Sequence, residues 1–262
     1  ENYELNIIPV TNVDGYLYTW DENGDRYWRK NRQPTSYSSE KTGVDLNRNW
    51  GFQWGLDSGS SSLINSQQFR GSEPFSAPET FNVAQYITSI KDRLFLYIDC
   101  HAYGGAIGGI WGYTYDTINI EEQQKEIAEN AVSRINTRGN LPNDYYEYWL
   151  TADLYPVSGS STDWAGREAN CWSYFYELRP EQNEIENGFN PPETSILPGC
   201  IDALTGTISL VNQTNGQKPP TLQVFSEMTP EEQTRIALLR NRAKQRCRCG
   251  EGIDLNNIIN LK

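Results

Sequence analysis

The run Leu94-Phe-Leu-Tyr-Ile-Asp-Cys-His-Ala-Tyr-Gly-Gly105 is apolar, aromatic and of strand length, and it carries the only histidine of the chain, His101. Small residues follow the ring, and the exit of a buried strand is where an α/β enzyme places its chemistry. A neutral imidazole there can bind a metal or move a proton. Taken alone, one histidine is more often structural, so its companions decide. Glu177 closes a second aromatic run, Cys171-Trp-Ser-Tyr-Phe-Tyr-Glu-Leu178. Taken singly, its carboxylate reads as a buried acid paired with Arg179. Gly43-Val-Asp-Leu-Asn-Arg-Asn-Trp50 is dense in side chains that can hold a fixed hydrogen-bonded shape. Within it, Arg48 taken singly reads more often as a surface ion-pair residue and Asn47 as a turn residue.

The whole chain bounds what these groups can serve. At 262 residues it is long enough for one large α/β domain or two small ones. A net charge of −12 argues against nucleic acid as the main partner. No unbroken apolar run reaches membrane-spanning length and no signal peptide opens the chain. The first residues read as a strand already inside a fold, so processing or truncation is expected to have removed what came before. Five cysteines leave at least one without an internal partner. High aromatic content and the sequon Asn212-Gln-Thr214 lean toward secretion, where disulfides form.

The elements that must position these residues follow from pattern. Residues 5–10 read as a strand and Thr11–Tyr16 as a turn. A helix is predicted over 78–91, with Ser76 as N-cap and Phe81, Val83, Ala84, Ile87 and Ile90 as its buried stripe. The His101 strand follows it directly. A second amphipathic helix spans 120–138, with Ile127, Ala128, Ala131, Val132 and Ile135 on one side. Residues 140–159 read as an aromatic loop, Cys171–Leu178 as strand, and 192–211 as a closing helix. After residue 214 the composition changes. Thr229-Pro-Glu-Glu232 is a capping box opening a helix to about Gln245, and from Arg235 to Arg248 there are six basic residues and no acidic one. We therefore expect a body over 1–214 and an appended extension over 215–262 with a basic helix. That helix would pack on the acidic body or bind a partner.

From about residue 5 to 211 the sequence resembles the zinc metallocarboxypeptidases of the pancreatic A/B type. The likeness rests on Pro9-Val-Thr-Asn-Val-Asp-Gly-Tyr16, Tyr27-Trp-Arg-Lys30, Gly43–Trp50 and Gly71-Ser-Glu-Pro-Phe-Ser-Ala-Pro-Glu79. It continues through Asp99-Cys-His-Ala-Tyr103, Tyr155-Pro-Val-Ser-Gly-Ser-Ser-Thr-Asp-Trp164 and Tyr174-Phe-Tyr-Glu-Leu-Arg179, in family order and spacing. The resemblance implies a three-layer α/β/α fold with a mixed, mostly parallel sheet. It also implies a Zn2+ ion with His101 as the third protein ligand. Asn47 and Arg48 would hold the free C-terminal carboxylate of the substrate, and Arg29 would face the developing oxyanion. Tyr155 would close over the substrate, and Glu177 would take a proton from the attacking water and pass it to the leaving amine. Thr162 matches the base of the pocket for the terminal side chain, with Gly112, Leu150 and Val157 on its walls. A neutral residue there implies release of aliphatic or aromatic residues.

The family's first two zinc ligands lie in a His-x-x-Glu motif upstream of the segment matching Pro9–Tyr16, and this chain has none. The first strands of the family sheet are missing as well. The expectation is therefore a zinc carboxypeptidase completed by an N-terminal segment outside these residues, carried on a second chain after cleavage or simply preceding Glu1. Its substrates are peptide or protein C-termini, and its place is secreted or extracellular, with vacuolar or granule lumens as alternatives. A non-catalytic carboxypeptidase-like binding or structural component is the competing reading, and a related hydrolysis of another terminal amide is a third.

Overall fold

Residues 3–34, 43–56, 59–142, 145–181 and 188–223 are described in the computed structural model. Their strands are β1 (Leu96–Gly104), β2 (Ala106–Gly109), β3 (Glu147–Leu150) and β4 (Trp172–Glu181). Their helices are α1 (Val13–Tyr18), α2 (Pro78–Ile90), α3 (Glu121–Gly139), α4 (Thr151–Leu154), α5 (Ser161–Ala169) and α6 (Ile196–Thr214), with a 3-10 turn at Leu46–Arg48.

The sheet runs in the order β1-β4-β2-β3, with β1 parallel to β4, β2 antiparallel to β4 and β3 parallel to β2. β4 is covered on both faces, which is why its sequence is a nearly unbroken aromatic run. Strand alternation sends Tyr174 and Tyr176 into the core shared with Ile127, Ala128, Ala131, Val132 and Ile135 of α3 and Leu210 of α6. The opposite face packs against α2 and α5 through Ala84, Ile87, Trp164 and Ala165, with Trp50 wedged beside Trp164 at 5.1 Å between ring centroids. This gives the three layers. Gly108 is obligatory in β2, because a Cβ there would lie 1.8 Å from the Phe175 ring.

Close approach also fixes α6. A Cβ at Gly206 would meet the Tyr176 hydroxyl at 2.6 Å, and Asp202, buried in the helix, pairs with Arg179 Nε of β4 at 2.6 Å. By length and composition alone, Glu193–Thr214 is apolar enough to cross a membrane. Here α6 lies against α3 and β4, burying Gly199, Asp202, Gly206, Ser209, Leu210 and Thr214. Beyond it, Trp172 Nε1 donates to the carbonyl of Gln217 at 2.9 Å and Leu222 enters the core. The predicted helix at 229–245 lies outside the described residues.

Several local expectations are corrected. Residues 5–10 are not a strand: they form no regular element and are exposed, with Leu5 at 68% and Ile7 at 70%. A strand exists only through its ladder, and no described strand pairs with this segment. The expected turn at Thr11–Tyr16 winds instead into α1, with Asn12 accepting from the Gly15 amide. Ser76 does not cap α2; its hydroxyl accepts from Asn49 Nδ2 at 2.9 Å and Ala77 takes the cap position. Phe81 faces solvent, and Thr80 replaces it in the buried stripe. The expected loop at 140–159 contains β3 and α4, because Glu147–Leu150 finds a ladder partner in β2. Cys100, Cys171 and Cys200 are free thiols.

Candidate active site

β1 and β4 set the centre of the site. His101 and Glu177 are partners in their parallel ladder, so both side chains leave the sheet on one face. β1 continues past His101 to Gly104, so the ring sits inside the strand rather than at its exit. Gly104 keeps the space beside it open, since a Cβ there would come within 3.3 Å of Glu177 Cβ and 3.1 Å of Trp149. Two residues before His101, Asp99 shares its face and places Oδ2 2.9 Å from the ring Nε2. Ser161, the first residue of α5, donates its hydroxyl to the same oxygen. No described residue contacts Nδ1 of the ring or the Glu177 carboxylate by a hydrogen bond.

The 3-10 turn supplies the second half of the site. Asp45 caps it, accepting from the Asn47 amide at 3.1 Å, and receives Nε and Nη2 of Arg29 at 3.1 and 2.9 Å. One buried carboxylate thus fixes both the turn and the loop-borne guanidinium. Asn47 accepts from the Ser161 amide at 2.8 Å and brings Nδ2 within 3.4 Å of His101 Nε2. Arg48 is 2% exposed, donates to its neighbour's carbonyl through Nη1 at 2.7 Å, and reaches the Tyr155 hydroxyl through Nη2 at 3.4 Å. Its Nε is buried without a hydrogen-bond partner, and no described acid forms an ion pair with it. Tyr155 itself is 38% exposed.

Thr162 is buried in the first turn of α5, its hydroxyl 3.4 Å from Ser160 Oγ. Its neighbour Asp163 accepts from the amides of Gly112 at 2.9 Å and Tyr113 at 3.1 Å. The Val157 amide donates to the Gly112 carbonyl at 2.7 Å, so two of the expected wall positions meet. Burial pushes the Asp163 carboxyl up to about 7 against those hydrogen bonds.

The electrostatics follow from burial and neighbours. Burial works against a charged His101, but Asp99 outweighs it and carries the imidazolium up to about 9. Burial likewise opposes ionisation of Asp99, and the His101 charge with hydrogen bonds from His101 and Ser161 holds it below the ordinary value. Burial pushes Glu177 up to about 7, while the charges of His101 and Arg29 pull it down and Asp99 pushes it up. Arg29 is stabilised as a cation chiefly by the Asp45 charge, which outweighs its partial desolvation.

Asp45, Asp99, Ser161 and Asp163 were not singled out from sequence. Asp45 had a signal in its place three residues before Arg48, at the head of a turn, and Asp99 in its two-residue spacing from His101. Ser161 and Asp163 had none, because their partners lie far away in the chain.

As a metal centre the described residues are incomplete. His101 fits one ligand position, with Nε2 engaged by Asp99 and Nδ1 hydrogen-bonded by no described residue. Among the described residues no group of three His, Cys, Asp or Glu side chains is placed to hold a metal ion.

The three layers and mixed sheet are those of a carboxypeptidase fold. Bovine thrombin-activatable fibrinolysis inhibitor, in complex with tick carboxypeptidase inhibitor, superposes with a TM-score of 0.72 at 30% identity, over 79% of this chain and 68% of that one. Carboxypeptidase A of Helicoverpa armigera gives 0.66 at 30% identity, over 79% and 50%. The zinc carboxypeptidase family matches residues 1–206. Human carboxypeptidase O is 34% identical over 80% of the chain and 54% of its own length. The zinc carboxypeptidase of Simulium vittatum is 32% identical over 81% and 68%. The chain belongs to the zinc carboxypeptidase family, and it spans about half the length of the first relatives it matches.

Proposed function

We propose that the protein is a zinc-dependent carboxypeptidase that hydrolyses the last peptide bond of a peptide or protein, with its zinc site completed by a segment outside these residues. The observation that carries this reading is Arg48. A guanidinium almost wholly buried, in no ion pair among the described residues and with an orphaned Nε, is costly unless an anion joins it directly, since Asp45 acts on it only at longer range and is itself paired with Arg29. The carboxylate at a peptide C-terminus has the charge and planar geometry to do so.

In this reading Arg48 and Asn47 hold the terminal carboxylate, which restricts cleavage to one register, and Tyr155 closes over it. Arg29, held by Asp45, faces the oxygen of the scissile carbonyl as negative charge develops. Glu177, half-buried and without a hydrogen bond to any described residue, accepts the proton of the attacking water and returns it to the leaving amine. A zinc ion with His101 as one ligand would supply Lewis-acid polarisation of that carbonyl and acidify the water. Thr162 offers no charge for a basic terminal side chain, so the released residues are aliphatic or aromatic. We place the protein outside the cell or in a vacuolar or granule lumen, and read 215–262 as an extension whose first residues, through Leu222, pack on the body at 1–214.

A second reading, a non-catalytic carboxypeptidase-like binding component, is favoured by the single ligand among the described residues. Metal analysis of the native protein separates the two. The enzyme reading requires about one zinc per molecule, a partner segment bringing a His and a Glu to His101, and release of C-terminal Phe or Leu from a blocked dipeptide. Metal-free, inactive native protein leaves the binding component. A strong preference for C-terminal Lys or Arg overturns the assigned specificity alone.

A further inference from the structure

We infer that Asp99 is a positioning residue that locks the His101 ring for metal binding and ties it to the carboxylate-holding turn. The inference rests on the zinc reading above and goes beyond it, to a network carried by side chains of this chain.

Asp99 and His101 alternate onto the same face of β1, and Asp99 Oδ2 lies 2.9 Å from Nε2. An imidazole held at one nitrogen cannot rotate without breaking that bond, which leaves Nδ1, hydrogen-bonded by no described residue, as the nitrogen for a metal. Such carboxylate partners of ligating histidines fix the ring and raise its basicity. Asp99 is itself fixed, because the Ser161 hydroxyl donates to the same oxygen. Ser161 in turn donates its amide to Asn47 Oδ1 at 2.8 Å, which turns Asn47 Nδ2 toward the ring at 3.4 Å. The chain Asn47–Ser161–Asp99–His101 therefore links the group that holds a substrate terminus to the group that holds a metal. The four members come from three places: Asn47 from the 3-10 turn, Ser161 from the first turn of α5, and Asp99 and His101 from strand β1.

The test compares zinc retention in the native protein with that of Asp99→Asn and Ser161→Ala, by competition with a chelator of known affinity and by thermal unfolding. Asp99→Asn keeps the shape and removes the charge, so zinc affinity should fall roughly 10- to 100-fold. Ser161→Ala should lower it in the same direction by less. Asp202→Asn is the control: it breaks a buried ion pair elsewhere, lowering the melting temperature with zinc affinity unchanged. Should Asp99→Asn fail to fold, Ser161→Ala carries the test, and unaltered zinc affinity in it counts against the network. A zinc-bearing native protein whose Asp99→Asn form melts lower but binds zinc equally well overturns the inference and leaves the function standing. A native protein without zinc overturns the function itself.

Discussion

His101 and Glu177 face each other directly across the β1–β4 ladder, and that pairing, rather than any loop, sets their separation. A one-residue slip would send one of them to the opposite face, where Tyr174, Tyr176 and α3 form the core. The aromatic residues of β4 that bury on both faces make such a slip costly. The same register governs two consequences of replacing Glu177.

Glu177→Gln should lower kcat by several orders of magnitude with KM nearly unchanged, since the lost group acts only as charge moves. It should also raise stability. The folded carboxyl titrates near 7 against an ordinary 4.5, so the folded state holds its proton longer than the unfolded chain. Wild-type stability therefore falls as pH rises between those values. The Gln variant should lack that decline and melt higher at pH 8, by on the order of 1 kcal/mol. Equal melting curves across that range would contradict the assigned environment.

Arg48→Ala should raise KM by roughly 100-fold through loss of a charge-assisted contact, with a smaller effect on kcat. Arg48→Lys should recover little, because an ammonium cannot reproduce the fork. Steady-state kinetics on one blocked dipeptide distinguishes these outcomes.

Gly159→Ala tests the scaffold of that arginine. Gly159 has φ +69, and a Cβ there would lie 2.6 Å from the Arg48 carbonyl oxygen and 3.1 Å from that of Trp50. The left-handed backbone alone costs about 1–2 kcal/mol. The variant should unfold at lower denaturant, and its KM should rise more than its kcat falls.

Asp45→Asn should blunt the acid sensitivity of the fold. Arg29, Arg48 and the Asn47 amide outweigh burial and hold the Asp45 carboxyl below its ordinary 3.8. Its contribution is thus complete above about pH 4 and is lost as pH falls below it. At neutral pH the variant should be less stable by about 1–3 kcal/mol. Arg29 is 46% exposed, so solvent screening favours the lower end. Acid unfolding curves of the two forms, measured side by side, check the sign.

What sequence reading could reach divides along physical lines. α3 was legible because Ile127 to Ile135 repeat at helical spacing, and β4 because burial on both faces leaves an aromatic run. β3 was not, since four residues with no alternation become a strand only when β2 offers a ladder. Residues 5–10 failed in the opposite sense, having strand composition without a described partner. Arg29, Arg48, His101, Tyr155 and Glu177 are proposed as site residues from ordered motifs. Of the groups that aim them, Asp45 and Asp99 carry a local signal in their spacing from Arg48 and His101, whereas Ser161 acts through contacts that exist only in three dimensions.

The central claim is that this site grips a free C-terminal carboxylate beside a hydrolytic centre. The most direct measurement compares hydrolysis of a blocked dipeptide ending in Phe with that of its C-terminal amide, using native zinc-bearing protein. The account predicts cleavage of the free acid, with kcat/KM for the amide lower by at least about two orders of magnitude, as expected for a buried charged contact. Equal rates on both, or no hydrolysis of the acid, would contradict it.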